Sequence, residues 1–253
     1  MQNAWDSYRI PGNGEIEEFE MFTFRSDLNY TLKQAKENKG GINVRYKEAI
    51  REIKYYENDN KIRVSFVEPP ELKNTVFIFL HNLTGSPPDR IWGYLPELRK
   101  VRRFAPLDGE FMGTVLDFED ITRRLNGENL EDFEILLLRE EKIGDKDCYK
   151  ILLIPKQETS TAYRFREFWV AKNGLPAFLQ VKYYYKEEYG GYAKIQKNFG
   201  IYEFLPGVWR TTYLEMKEQG KNKNHTSFIL FNNREQKKLS ENIFDSAVLS
   251  RGR

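Results

Sequence analysis

The sequence feature that most constrains the fold is a two-residue alternation of apolar and polar side chains that recurs along the 253-residue chain. In the segment 61–67, Ile62, Val64 and Phe66 alternate with charged or hydroxyl side chains, so the two sets point to opposite faces of a strand. Such runs end at turn-forming residues, of which Asn173-Gly174 gives the strongest hairpin signal. The pattern predicts antiparallel strands with one buried face at 15–25, 43–56, 61–68, 75–82, 90–95, 99–105, 110–115, 132–139, 147–154, 163–172, 177–187, 192–204, 208–217 and 225–232.

Two helices are predicted within this β-rich chain. Asp27 is expected to cap a helix over 28–39, and Asp117 to cap a second helix over 118–125. No internal repeat and no linker rich in Pro, Gly or Ser divides the sequence. We therefore predict one domain over 1–253 that is mainly β, with a large curved antiparallel sheet and a few covering helices.

Charge and hydropathy exclude two classes of protein. The 40 basic and 38 acidic residues leave a net charge of +2, which gives no field to attract nucleic acid. The longest apolar runs, 76–80 and 135–138, are far shorter than the about 20 residues that a membrane span needs. The single cysteine, Cys148, lies in a strand-like run and is expected to be a small buried apolar residue.

The polar residues give no sign of catalysis. His81 and His225 are isolated, with no zinc-binding companion motif, and the chain has no nucleophile elbow, P-loop or dinucleotide-binding glycine run. Glu119 and Asp120 are adjacent, and neighbouring residues on a helix point about 100° apart, which does not suit an acid/base pair. We expect no enzyme, no metal site and no cofactor.

Two adjacent motifs in the middle of the chain carry a resemblance to a known family. The first runs from Arg90 to Phe104 and the second from Gly109 to Ile121. Together they resemble the outer-membrane lipoprotein-sorting family of LolA-like bacterial envelope proteins. The positions that match are Trp92, Tyr94, Pro96, Arg102, Arg103, Phe111, Met112, Gly113, Thr114, Phe118, Glu119, Asp120 and Ile121.

The resemblance has departures and weaker extensions. Val115 and Leu116 stand where the family usually has Asp and an aromatic residue, and Asp117 is a candidate to replace that Asp. Weaker similarities, including a tyrosine block at 183–185 and Lys194, extend along the rest of the chain. Residues 1–40 match poorly and are treated as an N-terminal extension. The resemblance implies an unclosed half-barrel covered by helices, with lipid entering the space between them.

The motifs supply candidate site residues. If the predicted strand continues through Arg102 and Arg103, the two side chains point to opposite faces, and the inward one needs a carboxylate partner. Glu119 or Asp120 is the expected partner, and the resemblance implies that this pair latches a lid; the alternative is a solvated arginine pair. The candidates for the latch and the cavity lining are Trp92, Tyr94, Arg102, Arg103, Phe111, Glu119, Asp120, Phe165, Trp169 and Phe178.

The expected location and function follow from the resemblance. The segment Met1–Trp5 lacks the basic start and apolar run of a secretory signal, which leaves a cytoplasmic protein or a mature form with its signal removed. The resemblance favours a periplasmic, non-catalytic carrier of lipid or lipoprotein acyl chains, with an inner-membrane exporter and an outer-membrane acceptor as candidate partners. The alternative is an envelope protein-binding or structural module with a filled core, accessory to an export system.

Overall fold

The computed structural model describes residues 14–83, 88–105, 107, 109–124, 130–157, 159–172, 177–186, 193–219 and 224–249. The predicted turn at Asn173-Gly174 lies outside these ranges. The strands are β1 (Gly14–Arg25), β2 (Arg45–Tyr55), β3 (Asp59–Glu68), β4 (Val76–Asn82), β5 (Arg90–Leu95), β6 (Lys100–Phe104), β7 (Phe133–Ile143), β8 (Lys146–Pro155), β9 (Tyr163–Ala171), β10 (Phe178–Tyr185), β11 (Lys194–Phe199), β12 (Tyr202–Leu205), β13 (Val208–Arg210), β14 (Tyr213–Glu218) and β15 (His225–Lys237).

Thirteen of these strands form one antiparallel sheet in the order β6-β5-β4-β3-β2-β1-β15-β14-β11-β10-β9-β8-β7. The strands β12 and β13 pair with each other in a separate two-stranded sheet. The large sheet is unclosed, because β6 and β7 are its two edges. The predicted mainly β fold with one large unclosed antiparallel sheet is confirmed. The N-terminal strand β1 lies at the centre of this sheet, between β2 and β15.

The helices in the described residues are short. α1 (Leu32–Glu37) begins after Thr31, whose Oγ1 accepts the N–H of Gln34 while the Gln34 side chain accepts the N–H of Thr31. The prediction that Asp27 caps this helix was wrong, because Asp27 lies in a 3-10 turn and pairs with Arg25 at 2.8 Å. The other helical elements are α2 (Ser246–Leu249), 3-10 turns at Ser26–Leu28, Pro70–Leu72, Pro96–Leu98, Leu130–Asp132 and Glu241–Phe244, and a π-helical turn at Asp120–Arg124.

Three predicted strands were wrong in extent or in kind. The segment 110–115 is a set of turns, because Met112 and Gly113 have φ of 53° and 69°, a left-handed backbone that an extended strand does not have. The segment 192–204 contains the two strands β11 and β12, which are separated at Gly200, whose φ is 59°. The segment 208–217 likewise divides into β13 and β14.

The sheet has two apolar faces of unequal size. We call the face that carries Phe19, Ile62 and Ile229 the inner face, because it supports the main core cluster. The outer face carries a smaller cluster beneath α1 and a third around Cys148 and Trp169. The sulfur-bearing side chain of Cys148 is buried, as its strand-like context predicts.

The sheet curves strongly around its inner face. Neighbouring strands lie about 4.8 Å apart, so β4 and β11, six spacings apart in the sheet order, would be about 29 Å apart in a flat sheet. Yet Phe118 lies 6.4 Å from the Phe79 ring of β4, while the adjacent Asp117 lies 2.7 Å from Lys194 of β11. Two consecutive side chains reach both strands only because the sheet bends around the segment that bears them.

Candidate functional site

Residues 109–124, here called the inner segment, lie across the inner face and contact both halves of the sheet. On the β3–β6 side its contacts are aromatic. The Phe111 and Phe118 rings pack edge-on against Phe77 of β4, with centroids 5.3 and 5.7 Å apart. Phe118 also stacks on Phe104 of β6 at 5.3 Å. Edge-to-face and offset-stacked pairs at these distances stabilise a core beyond the area that they bury.

Gly93 of β5 makes this aromatic packing possible. A β-carbon at position 93 would lie 2.7 Å from both Phe77 and Phe104, closer than carbon atoms approach in proteins. Gly93 pairs with Phe77 of β4 on one side and with Arg102 of β6 on the other, and the Phe77 and Phe104 rings fill the space above it. The glycine therefore serves a close approach of side chains, as strand glycines often do.

On the β9–β11 side the contacts of the inner segment are polar. The Asp117 Oδ2 atom accepts hydrogen bonds from Lys194 Nζ at 2.7 Å, Tyr163 OH at 3.0 Å and Tyr185 OH at 2.9 Å. Asp120 Oδ2 accepts from Lys194 Nζ at 3.2 Å and from the N–H of Asp117 at 2.8 Å. The Lys194 side chain is fully buried. We call these five residues the polar latch.

Burial and charge act in opposite directions in the polar latch. Burial by itself lowers the pKa of Lys194, but the charges of Asp120 and Asp117 outweigh it, so the lysine pKa is raised. Burial would raise the pKa of Asp117, and the Lys194 charge with hydrogen bonds from Lys194, Tyr185 and Tyr163 lowers it overall. The lysine is thus held as a cation and Asp117 as an anion in the interior.

Two further hydrogen bonds attach the inner segment between its aromatic and polar parts. The N–H of Val115 donates to Ser227 Oγ of the central strand β15 at 3.1 Å, and Ser227 is in turn bonded to Thr23 of β1 at 2.7 Å. Glu119 Oε2 accepts the N–H of Ala162 at 3.1 Å. The inner segment is therefore attached to the middle of the sheet as well as to both sides.

The prediction of a buried arginine partner for Glu119 or Asp120 was wrong. Arg102 does point to the inner side, opposite Gly93, and Arg103 to the outer side, opposite Trp92, but both side chains are exposed. They lie on β6, a five-residue edge strand, where both faces are close to water and an arginine needs no buried partner. The cation that meets Asp120 is Lys194.

The helix cap predicted at Asp117 was also wrong. The Asp117 side chain points to Lys194 rather than to its own helical turn, and the carboxylate of Asp120 accepts the Asp117 N–H instead. Asp120 therefore supports the turn at its start, while Asp117 is available for the sheet.

The structure divides the predicted aromatic candidates between the two faces. Phe111 and Phe178 belong to the inner-face core, where Phe178 packs edge-on against Phe168 at 5.2 Å. The remaining four candidates lie on the outer face, by strand alternation or by membership of the outer clusters: Trp92, Tyr94, Phe165 and Trp169. Tyr94 borders an outer groove of about 650 Å³ beside the C-terminal segment.

The sequence does not predict the contacts that the two tyrosines of the polar latch make with Asp117. Lys194 and the tyrosine block that contains Tyr185 are weak family similarities, and Asp117 is a candidate replacement for a family Asp, but nothing in the sequence joins them. Tyr163 and Tyr185 lie in strands whose aromatic residues are numerous, so their hydroxyl groups gave no separate signal. A lysine at a predicted inward strand position was the available clue, because a buried lysine requires a carboxylate partner.

A second group of buried charges lies at the β1–β2–β15 centre of the inner face. Glu15 accepts from Arg210 Nη2 at 2.6 Å and pairs with Arg234 at 3.1 Å. Glu17 pairs with Arg234 at 2.5 Å and with Arg51. Asn233, with φ of 47°, marks a bulge in β15 that brings Arg234 to the inner face. Burial would raise the pKa of Glu15, but the charges of Arg210, Arg234 and Arg51 lower it overall.

The described residues hold few features of other site classes. Within them, no group of three or more His, Cys, Asp or Glu side chains is placed to hold a metal ion. No helix in the described part of the chain is long and apolar enough to cross a membrane.

Solved structures with the same fold come from three bacteria. A DUF1329 family protein from Desulfovibrio piger superposes with a TM-score of 0.81 at 22% identity, covering 98% of this chain and 96% of its own. A putative outer membrane lipoprotein-sorting protein domain from Vibrio parahaemolyticus gives 0.80 at 21% identity, with coverage of 99% and 97%. A LolA superfamily protein from Nitrosomonas europaea gives 0.69 at 18% identity, with 98% of each chain covered.

Sequence comparisons give a family but no described relative. No protein with a curated description matches the chain significantly. A family model described as "Uncharacterized protein" matches residues 58–251, which is most of the chain. The structural matches to the lipoprotein-sorting domain and the LolA superfamily protein agree with the motif resemblance. The chain therefore belongs to the family whose model matches residues 58–251, and it has the same fold as the lipoprotein-sorting domain and the LolA superfamily protein, an unclosed antiparallel sheet.

Proposed function

We propose that this protein is a non-catalytic carrier that holds an acyl chain of a lipid or lipoprotein against the inner face of its sheet. The proposed site lies beyond the polar latch, on the β7–β10 side. One observation carries the proposal: a row of apolar inner-face side chains runs from Phe168 of β9 through Ile151 of β8 to the surface, beside the buried Arg166. Phe168 and Ile151 are buried there, and the next inner-face side chains on β7, Ile135 and Leu137, are 39% and 62% exposed.

The energetics of transfer support this assignment. An acyl chain gains about 0.8 kcal/mol for each CH₂ group removed from water, so even a single chain requires an extended apolar surface. The inner face on this side presents aromatic and aliphatic side chains that could cover such a chain. Transfer requires differences in affinity between donor, carrier and acceptor, and no reacting group.

The polar latch is the proposed gate. On the β3–β6 side the inner segment is fixed by interlocked phenylalanine rings, whereas on the β9–β11 side it is held by the ion pairs of Lys194 with Asp117 and Asp120. The polar side is the side next to the exposed apolar strip. Movement of the inner segment away from Lys194 would lengthen the strip on the β9–β11 side.

The proposed setting is the periplasm, and the proposed partners are an inner-membrane exporter and an outer-membrane acceptor. This setting rests on the likeness to the Vibrio lipoprotein-sorting domain and the Nitrosomonas LolA superfamily protein. A second candidate function is an envelope protein-binding module, which the filling of the β3–β6 side by Phe111 and Phe118 favours.

The test is to purify the protein from a bacterial host and identify bound lipids by organic extraction and mass spectrometry. Binding of a fluorescent fatty acid to delipidated protein gives the affinity. We expect co-purified acyl lipid and saturable probe binding, and Leu137→Glu should weaken that binding by placing a charge on the strip. Absence of lipid together with no probe binding would exclude the carrier and leave the binding module.

The gate is tested with the same probe. Lys194→Met should change the rate of probe release, because it removes the cation that holds Asp117 and Asp120. Arg102→Leu and Arg103→Leu are matched controls. The sequence predicts that one of these arginines holds the lid, but both are exposed in the structure, so their loss should leave probe release unchanged. Equal release rates in all four proteins would remove the gating role from Lys194.

A further inference from the structure

The edge strand β7 exposes an apolar run of a kind that natural edge strands avoid. Every residue from Glu134 to Glu140 is exposed, and the run contains Ile135, Leu136, Leu137 and Leu138 with 39, 48, 62 and 43% exposure. An edge strand carries unpaired N–H and C=O groups along its free side. A long apolar edge with no cover is therefore a template for pairing with another strand.

The opposite edge of the same sheet is protected. The strand β6 is only five residues long and carries Lys100, Arg102 and Arg103, all exposed. Short length and positive charge are the usual means by which proteins prevent edge-to-edge association. The strand β7 differs from β6 in both respects, because it is eleven residues long and carries four consecutive exposed apolar residues.

The register of β7 with β8 fixes which face each β7 side chain occupies. Ile135 and Leu137 pair with Leu153 and Ile151 on the inner face, and Leu136 pairs with Leu152 on the outer face. The register shifts between Leu137 and Arg139, so Leu138 is the extra residue of a bulge.

These positions make β7 complementary to a second copy of itself in an antiparallel arrangement. A two-fold axis perpendicular to the sheet can place Leu136 opposite Leu136 of a partner, because directly opposed residues share a face. Ile135 then lies opposite the partner's Leu137, both on the inner face. Because Leu138 is the extra residue of the partner's bulge, Glu134 lies opposite the partner's Arg139. A carboxylate therefore faces a guanidinium at each end of the apolar run.

The charges at the two ends are free to take part. The Arg139 side chain is 60% exposed, and its Nε donates to Glu141 Oε2 at 2.7 Å. Glu134 is exposed one residue before the run. An isologous contact of this kind closes after two copies, because each copy has one such edge.

We propose that two copies of this chain associate through antiparallel pairing of their β7 edges, centred on Leu136. The contact shares Ile135 and Leu137 with the proposed acyl site, but its centre, Leu136, lies on the outer face, so Leu136→Lys tests the pairing without changing a residue of that site. The pairing extends the thirteen-stranded sheet across the two-fold axis and removes the unprotected edge.

The first test is sedimentation velocity of the full chain over a range of concentrations. The proposal expects a species of twice the 30.1 kDa chain mass. Leu136→Lys places two ammonium groups opposite each other at the axis and should weaken dimerisation at least about tenfold, or about 1.4 kcal/mol. Leu98→Lys is the matched control, because Leu98 is similarly exposed, at 41%, but lies in the turn before β6.

The second test probes the register. Glu134→Arg and Arg139→Glu should each weaken the dimer, and the double variant should restore it, because the opposite charges then face each other again. Leu136→Cys should form a disulfide-linked dimer on oxidation, whereas Leu98→Cys should not; the native Cys148 is buried and does not compete.

Three results would overturn the proposal. The first is a wild-type protein that sediments as one chain at every concentration. The second is a dimer that survives Leu136→Lys or that the charge exchange fails to restore. The third is a monomer whose Leu136→Lys variant only loses binding to lipid vesicles, which would make the edge a membrane contact.

Discussion

Lys194 of β11 and Asp117 of the inner segment form a buried ion pair, 2.7 Å from Nζ to Oδ2, between residues 77 positions apart in the chain. The pair joins the inner segment to the half of the sheet that lacks its phenylalanine packing. A buried ion pair adds little stability compared with an apolar replacement of both partners, but the loss of one partner leaves an uncompensated charge. The pair therefore specifies where the inner segment lies, and several outcomes can be measured.

Lys194→Met should destabilise the fold by about 3–5 kcal/mol, because Asp117 and Asp120 are left buried without a cation. Urea denaturation followed by tryptophan fluorescence measures the free energy of unfolding. Lys197→Met is the matched control, since Lys197 is exposed on the same strand and should change stability by less than about 0.5 kcal/mol. Equal effects of the two variants would contradict the structural role of the pair.

The stability that Asp117 contributes should depend on pH in a defined direction. Its pKa in the folded protein lies below the ordinary value of 3.8, so its contribution is present above that pH and is lost as the pH falls below it. The pKa of Lys194 is raised above 10.5, so its contribution is present below that pH and is lost at higher alkaline pH. Thermal melts of wild type and Asp117→Asn should differ at neutral pH and converge in acid. A difference that persists unchanged in acid would show that the carboxylate charge is not responsible.

Gly93→Ala should destabilise the protein by about 1–3 kcal/mol, because the added methyl group meets Phe77 and Phe104 at 2.7 Å. Chemical denaturation measures the loss. A second substitution, Phe104→Leu, removes one of the two rings in contact and should recover part of the loss when combined with Gly93→Ala. If the double variant lost the sum of both single effects, the clash at this position would not be the cause.

Glu241 should attach the C-terminal segment to β2 and β3 in a pH-dependent way. Hydrogen bonds from Lys54, Lys61 and Tyr56 lower the pKa of Glu241 to about 2. Its contribution is thus present above the ordinary value of 4.5 and is lost as the pH falls from there toward 2. Hydrogen exchange of the backbone at Asn242–Phe244 should accelerate in Glu241→Gln at neutral pH. No change relative to wild type would show that other contacts hold the segment.

The strand pattern was readable from sequence because it depends on neighbouring residues. In β3, the alternation of Ile62, Val64 and Phe66 with polar side chains is sufficient to predict one buried face and one more exposed face, and β3 has that arrangement. The strand predicted at 110–115 was wrong, because a local apolar pattern does not determine the backbone dihedral angles. Its Met112 and Gly113 are left-handed, and the phenylalanine at 111 enters the core from a turn.

The candidate site was less readable, because it depends on which strands become neighbours. The sequence makes Arg102 and Arg103 candidates for a buried cation, but β6 is an edge strand of the sheet and both side chains are exposed there. Lys194 became the buried cation because β11 lies where the sheet curves back over the inner segment. The face that each residue of a strand occupies can be derived from the sequence of that strand. The residue that pairs with a charge across a curved sheet cannot be derived in this way.

By itself, the sequence determined a mainly β chain with a resemblance to lipoprotein-sorting proteins, since side-chain alternation and motif spacing are local properties. Only the tertiary structure decided that Asp117 meets Lys194, that Trp92 and Tyr94 lie outside rather than within the inner face, and that β7 is an open apolar edge. The physical reason is that burial and charge pairing depend on strand order and curvature, which arise from contacts between residues far apart in the chain.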